Sequence, residues 1–211
     1  MTPTFDDVIA LVRAGLAGPL PGASAQAVLA PRPRRNWPPG LDPDDIRDAA
    51  GLLLLFPIED RAHVVLTVRA NALRHGGQVS LPGGVIEPDE TFAAAALREA
   101  HEEVALPLGG VHVLGALTPI EIAVSGFRLH PIVAATATRP PLRAAEGEVA
   151  RILEIPVEDL LDTSRLDVVE RERDGRTLTI PLLRVDGVEI WGATAMVLAE
   201  FLSLLGWDAR T

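Results

Sequence analysis

GGVIEPDETFAAAALREAHEEV, Gly83 to Val104, is the stretch that decides how this chain folds. Pro82-Gly83-Gly84 breaks the chain ahead of a short strand, Val85–Ile86, and an alanine-rich helix follows from about Glu90 to Ala105. Phe92, Ala96, Ala100 and Val104 recur at helical spacing, which predicts the face that packs on a sheet. Glu99, Glu102 and Glu103 fall within roughly a third of the helix circumference at about 100° per residue. Such like charges cost a few tenths of a kcal/mol on an exposed helix. In a sheltered cleft, two carboxylates about 5 Å apart repel by roughly 3 kcal/mol at an effective dielectric near 20. A bound divalent cation would offset that cost.

The hexapeptide REAHEE by itself reads equally well as a solvated helix face. The longer spacing is more demanding: Gly84, five residues, Glu90, seven residues, Arg98-Glu99, two residues, Glu102-Glu103. Glycines at 83 and 84 let the backbone bend and approach a ligand without side-chain obstruction. Glu99 and Glu103, one turn apart, can hold a hard cation from one helix face, with Glu102 beside them. Arg98 is placed to pair with Glu90 and pin the loop to the helix.

Around this stretch the chain reads as strands and helices in irregular alternation. Thr4 caps an amphipathic helix, FDDVIALVRAGL. Prolines from Pro19 to Pro43 predict an irregular arm whose apolar patch is Ala25–Ala30. Gly51–Ile58 and Ala62–Ala70 form a predicted hairpin, with Asn71–Ser80 a loop. Val111–Leu117, Leu129–Ala135 and Val149–Ile155 are further strands, and Val157–Leu161 is a helical turn. Asp174-Gly175 and Asp186-Gly187 signal hairpin turns. A helix from about Gly192 to Leu205 closes the chain at Gly206. The pattern predicts an α+β fold with a mixed sheet covered by helices. It also divides the chain into an N-terminal helix and arm, 1–48, and a main domain, 49–211.

With 211 residues and nearly half of them apolar, the chain can bury a sizeable core. A formal net charge of −10 argues against nucleic-acid and anionic-membrane partners, which need a basic face. A small phosphorylated substrate stays open, because local arginines or a metal ion reverse the field inside a cleft. The chain contains no cysteine, which removes disulfides, thiolate nucleophiles and Cys-ligated zinc. The acidic N-terminus makes a poor signal peptide, and GLLLLFPI is too short to span a bilayer, so a soluble cytoplasmic protein is expected.

The stretch from Gly84 to Glu103 resembles the Nudix box, the signature of hydrolases that cleave nucleoside diphosphates linked to another group. One position departs from it: Ala105 stands where the family has Gly, a change that is harmless if the helix runs on. The resemblance implies an α/β/α sandwich, Mg²⁺ or Mn²⁺ as cofactor, and water attack on a pyrophosphate phosphorus. It implies Glu99 and Glu103 as the main metal ligands and Glu102 as a third ligand or the general base. The Gly83 carbonyl is a further candidate ligand, and Arg98 and Glu90 complete the catalytic set. Glu148, outside the box, is a candidate additional carboxylate.

Other segments resemble the coenzyme A pyrophosphatase subgroup: Leu66–Ala70 with Leu73-Arg74 and Gly77-Gln78-Val79, Val124–Phe127 with Pro131, and Ile190–Ala195. Here the Arg69–Gly77 loop is one residue short of the subgroup's spacing, and Leu81 replaces Phe. Arg69, Arg74 and Gln78 are the candidate substrate-binding residues, with His75 and the arm's Arg32, Arg34 and Arg35 as further cations. The implied reaction splits coenzyme A or its derivatives into 3′,5′-ADP and 4′-phosphopantetheine. The alternatives are ADP-ribose or another nucleoside diphosphate derivative as substrate, or a Nudix-fold binding module without turnover. A homodimer stays open. His63, His101, His112 and His130 lack ligand spacing and read as structural, and Trp191 reads as a core anchor.

Overall fold

The computed structural model describes residues 3–34, 37, 40, 42, 45–70, 76–173 and 175–208. Its organising element is strand β1 (Arg47–Ile58), which is buried on both faces along most of its length. That is why GLLLLFPI is a continuous apolar run and not an alternating one. Leu52, Leu54 and Phe56 point into one core cluster with Ala95, Ala96, Ala100 and Val104, while Leu53 and Leu55 point into another.

Around β1 stand β2 (Arg61–Arg69), β3 (Val79–Ser80), β4 (Gly83–Val85), β5 (His112–Ala116), β6 (Ile120–Ile122), β7 (Phe127–Ala135) and β8 (Val149–Pro156). The main path of this sheet runs β3-β2-β1-β7-β5, with β4 on β1, β6 on β7 and β8 on β2. The β1–β7 pair is parallel and the others are antiparallel, so the sheet is mixed. A second, three-stranded sheet is made of β9 (Leu166–Arg173), β10 (Arg176–Val185) and β11 (Val188–Trp191).

Helix α3 (Phe92–Val104) covers one face of the large sheet. The opposite face carries α1 (Phe5–Ala17) and α5 (Ala193–Leu204), whose buried residues join Leu183, Val185 and Ile190 of the second sheet in one core. The result is the expected α+β sandwich. Strand β1 pairs with β4 at Ala49–Gly51 and with β2 at Leu55–Ile58, so these two neighbours diverge and leave a fork. Residues 81 and 82 cross that fork, with Leu52 N donating to Pro82 O at 2.8 Å.

Several expectations need correction. The proline-rich arm contains α2 (Gly22–Gln26) and a 3-10 turn, Ala27–Leu29. Pro21 stands at the N-cap, where its missing N–H removes no helical bond. Phe92 lies against the sheet, stacked on His130 of β7 with centroids 3.7 Å apart, but it stays 41% exposed and outside the core. His130 also meets Asp48 at 2.8 Å. The short strand is Gly83–Val85, one or two residues earlier than expected, since the glycines themselves pair with Ala50 and Gly51. Strands β3 and β6, two and three residues long, are too short to show a period. Helix α3 does not run on through Ala105, which adopts the left-handed conformation at φ 52°, ψ 36°. Thr4 caps α1 as expected, and Asp7 closes a capping box with it.

Candidate active site

Two glycines bring the loop and helix together. A Cβ on Gly83 would lie 2.2 Å from the Ala50 carbonyl oxygen, and one on Gly84 would lie 2.4 Å from Glu99 Oε1. At Gly83 the obstruction is backbone, so no side chain fits there; at Gly84 it is the Glu99 carboxylate, which a Cβ would push out of place. Thr91 starts α3 by accepting from Ala94 N at 3.2 Å, which fixes where the acidic last turns fall.

Arg98 is the hub of the loop–helix junction. Its Nε and Nη2 donate to the two oxygens of Glu90 at 3.0 and 3.1 Å, a bidentate pair. Nη1 reaches Glu99 at 2.9 Å and Glu102 at 3.2 Å, and Nη2 also donates to Val85 O at 3.1 Å. Hydrogen bonding from Arg98 holds the Glu90 carboxyl below the usual range, and the carboxylates around Arg98 raise its own pKa further. Glu90 also accepts from Glu87 N at 3.2 Å, which closes the loop.

Glu103 has a different environment. It is 9% exposed, and among the described residues its carboxylate accepts one hydrogen bond, from Gly83 N at 3.2 Å. Burial pushes its pKa up to about 7; the Gly83 N–H and the Arg69 charge oppose the shift, while Glu99 and Glu148 add to it. Glu102 is more open, its side chain 55% exposed.

Arg69 is exposed and ends β2 at a register shift in the β2–β8 ladder, a bulge of the kind that re-aims side chains beside functional sites. Its N donates to Gln78 O at 3.0 Å and its O accepts from Gly77 N at 2.9 Å, so Arg69 and Gln78 stand together near Glu103. Glu148 arrives on a loop tied to the end of α3 by Arg143 N to Val104 O (2.9 Å) and Ala145 N to Glu103 O (2.8 Å). Arg74, His75 and Arg35 lie outside the described residues. Arg32 bridges Thr179 on β10 through its backbone.

The NUDIX domain profile matches residues 45–174. The Nudix hydrolase NudL of Salmonella paratyphi B is 38% identical over 157 residues, 72% of this chain and 81% of that protein, and NudL of Salmonella newport matches equally. The chain belongs to the Nudix family. A Nudix hydrolase from M. smegmatis, RenU, shares the fold with a TM-score of 0.56 at 21% identity, covering 76% of this chain and 86% of that one. A MutT protein from Methanosarcina mazei Go1 does so at 0.50 and 16%, over 77% and 96%.

Nudix hydrolases generally use divalent metal ions, and the donors here suit a hard cation. All are oxygens, one is a nearly buried carboxylate with a single hydrogen bond, and the glycines remove any Cβ between backbone and Glu99. Among the described residues no three acidic or histidine groups already form a cage. Arg98 Nη1 pairs with both Glu99 and Glu102.

Two partners of Glu103 were not legible in the sequence, the Gly83 N–H and the Arg69 charge. Trp191 is half-buried beneath the Arg171 guanidinium, 5.4 Å from the ring centroid. Among the described residues, no helix is long and apolar enough to cross a membrane.

Proposed function

We propose that this Nudix hydrolase cleaves the pyrophosphate bond of coenzyme A or its derivatives, using Mg²⁺ or Mn²⁺, to give 3′,5′-ADP and 4′-phosphopantetheine. The observation that supports this most is the pairing of Arg69 with Gln78 beside Glu103. These residues belong to the subgroup-like extension, and the Arg69 charge acts on the buried carboxylate of the box. A second subgroup-like segment supports the same reading, since Thr194 Oγ1 donates to Val79 O at 2.9 Å and fastens Ile190–Ala195 to Gly77–Val79.

Glu99, Glu102, Glu103 and the Gly83 carbonyl would hold the metal, with Glu148 as an additional carboxylate. When bound, the metal polarises phosphoryl oxygens and lowers the pKa of an attacking water. Arg98 does not touch substrate in this reading; it locks Glu90 to the helix and keeps the carboxylates in register. Arg69 supplies the cation that an acidic protein needs beside a pyrophosphate. Glu102, the most exposed of the three box carboxylates on α3, serves as third ligand or general base.

The alternative substrate, ADP-ribose or a related compound, draws on two sequence departures. Leu81 loses force as a motive: it is 6% exposed and packs beside Gly51 in the core. The shortened Arg69–Gly77 spacing remains. A binding module without turnover is disfavoured, because Glu90, Arg98, Glu99, Glu102 and Glu103 are all present.

Mass spectrometry of products from coenzyme A and ADP-ribose, with each metal, separates these readings. Release of 3′,5′-ADP from coenzyme A supports the proposal. Cleavage of ADP-ribose alone would replace the substrate, and no product from either would call for a wider panel of nucleoside diphosphate derivatives before the binding module is accepted.

A further inference from the structure

A groove of about 380 Å³ opens on the α3 side of β8, lined by Arg139, Pro140, Pro141, Leu142, Ile152 and Glu154. Leu142 and Ile152 pack on the core cluster beneath α3 and give the groove an apolar floor. Arg139 Nε donates to Glu154 at 3.0 Å and forms a polar wall. The volume is in the range of small-molecule sites, roughly 300–1,000 Å³.

The groove and the acidic site share two elements. Residues 142–148 run from the groove to Glu148 and are tied to α3 at Val104 and Glu103. Along β8, Ile152 and Glu154 lie four and six residues beyond Glu148. At about 3.3 Å per residue, these positions are roughly 13 and 20 Å from Glu148. Arg143 stands between groove and site on the connecting loop, exposed and without a carboxylate partner among the described residues.

The structure assigns this groove, in our reading, to the amide-and-thiol arm of the substrate, the pantetheine portion of coenzyme A. The assignment rests on the coenzyme A reading above. The arm from phosphorus to sulfur has about thirteen bonds, and at about 1.2 Å each it spans roughly 16 Å, which falls between the two distances. Its gem-dimethyl and ethylene groups suit the prolines, Leu142 and Ile152, and its two amides suit the Arg139–Glu154 wall. A substrate lacking this arm leaves the groove empty.

Steady-state kinetics on the full chain test the assignment, with 4′-phosphopantetheine and 3′,5′-ADP as product inhibitors. Pro141→Trp narrows the groove from an exposed position, and Leu142→Ala removes part of its floor. We expect Pro141→Trp to raise the KM for coenzyme A and the Ki of 4′-phosphopantetheine about tenfold, with kcat within about twofold. Leu142→Ala should raise both about threefold, and neither variant should move the Ki of 3′,5′-ADP. If coenzyme A is hydrolysed and both variants keep wild-type KM and Ki, the subsite is wrong and the reaction stands. An equal rise for both inhibitors would also overturn the subsite. If the wild-type protein leaves coenzyme A intact, the proposed function fails and the subsite with it.

Discussion

Glu103 on α3 and Glu200 on α5 are both buried glutamates, yet they are served in opposite ways. Glu200 is 0% exposed and accepts from Gly22 N (3.1 Å), Gln26 Nε2 (2.8 Å), Thr118 Oγ1 (2.7 Å) and Thr118 N (3.2 Å). Those donors are all neutral, and they fasten α2 and the segment before β6 to the last helix. Glu103 has one such donor, Gly83 N, and stands near Glu99 and Glu148. A carboxylate that only holds the fold together has its lone pairs filled by hydrogen bonds. Glu103 keeps unfilled acceptor capacity, as a cation ligand must.

The comparison can be broken most directly by activity. Glu103→Gln removes the charge and keeps the shape, and we expect kcat/KM for the cleaved anhydride to fall on the order of 10³-fold. A loss below about tenfold in the product assay would place the essential carboxylate elsewhere.

Stability comes next. Glu200→Ala orphans the donors of Gln26 and Thr118 and should cost about 3 kcal/mol in urea unfolding, with little change in activity per folded molecule. A cost under about 1 kcal/mol would mean that the arm is not fastened through this residue.

The raised pKa of Glu103 gives a pH signature. Its ordinary value of 4.5 applies to the unfolded chain and about 7 to the metal-free fold. Folding therefore favours the protonated form. The stability it contributes is full below about pH 4.5 and is lost as pH rises through 7, on the order of 2–3 kcal/mol. Thermal unfolding in chelator should show this decline between pH 5 and 8 once other groups are subtracted with the Glu103→Gln variant. Mg²⁺ at pH 8 should restore stability to the wild type and not to the variant.

The smallest effect concerns the end of the same helix. Ala105 carries a Cβ in the left-handed conformation, so Ala105→Gly should stabilise the fold by about 1 kcal/mol. No gain in urea midpoint would mean that the helix end relaxes in solution.

Much of this was legible before any coordinates. The spacing from Gly84 to Glu103 located the loop and helix, and the Glu90–Arg98 pair followed from it. The apolar run of β1 and the Asp-Gly turns outlined the sheets. Helical period placed Phe92 on the sheet-facing side, but it could not tell that the ring would stay exposed on His130 and not enter the core. Ala105 was misread because alanine is an excellent helix former, and its left-handed conformation is imposed by the turn that follows. Glu200 left a faint trace, a single acid inside GATAMVLAEFLSLL. Its partners Gln26 and Thr118 lie 174 and 82 residues away, beyond any local pattern.

By itself, then, the sequence determined what recurs at short range: the box, its Arg98 clasp, the two glycines and the strands that bury both faces. Hydrophobic period and helix geometry act over a few residues, so these features need no partner to be read. Tertiary structure alone decided which carboxylate would be satisfied and which left hungry. That choice depends on burial and on donors brought from distant segments, Gly83 for Glu103 and residues 22, 26 and 118 for Glu200.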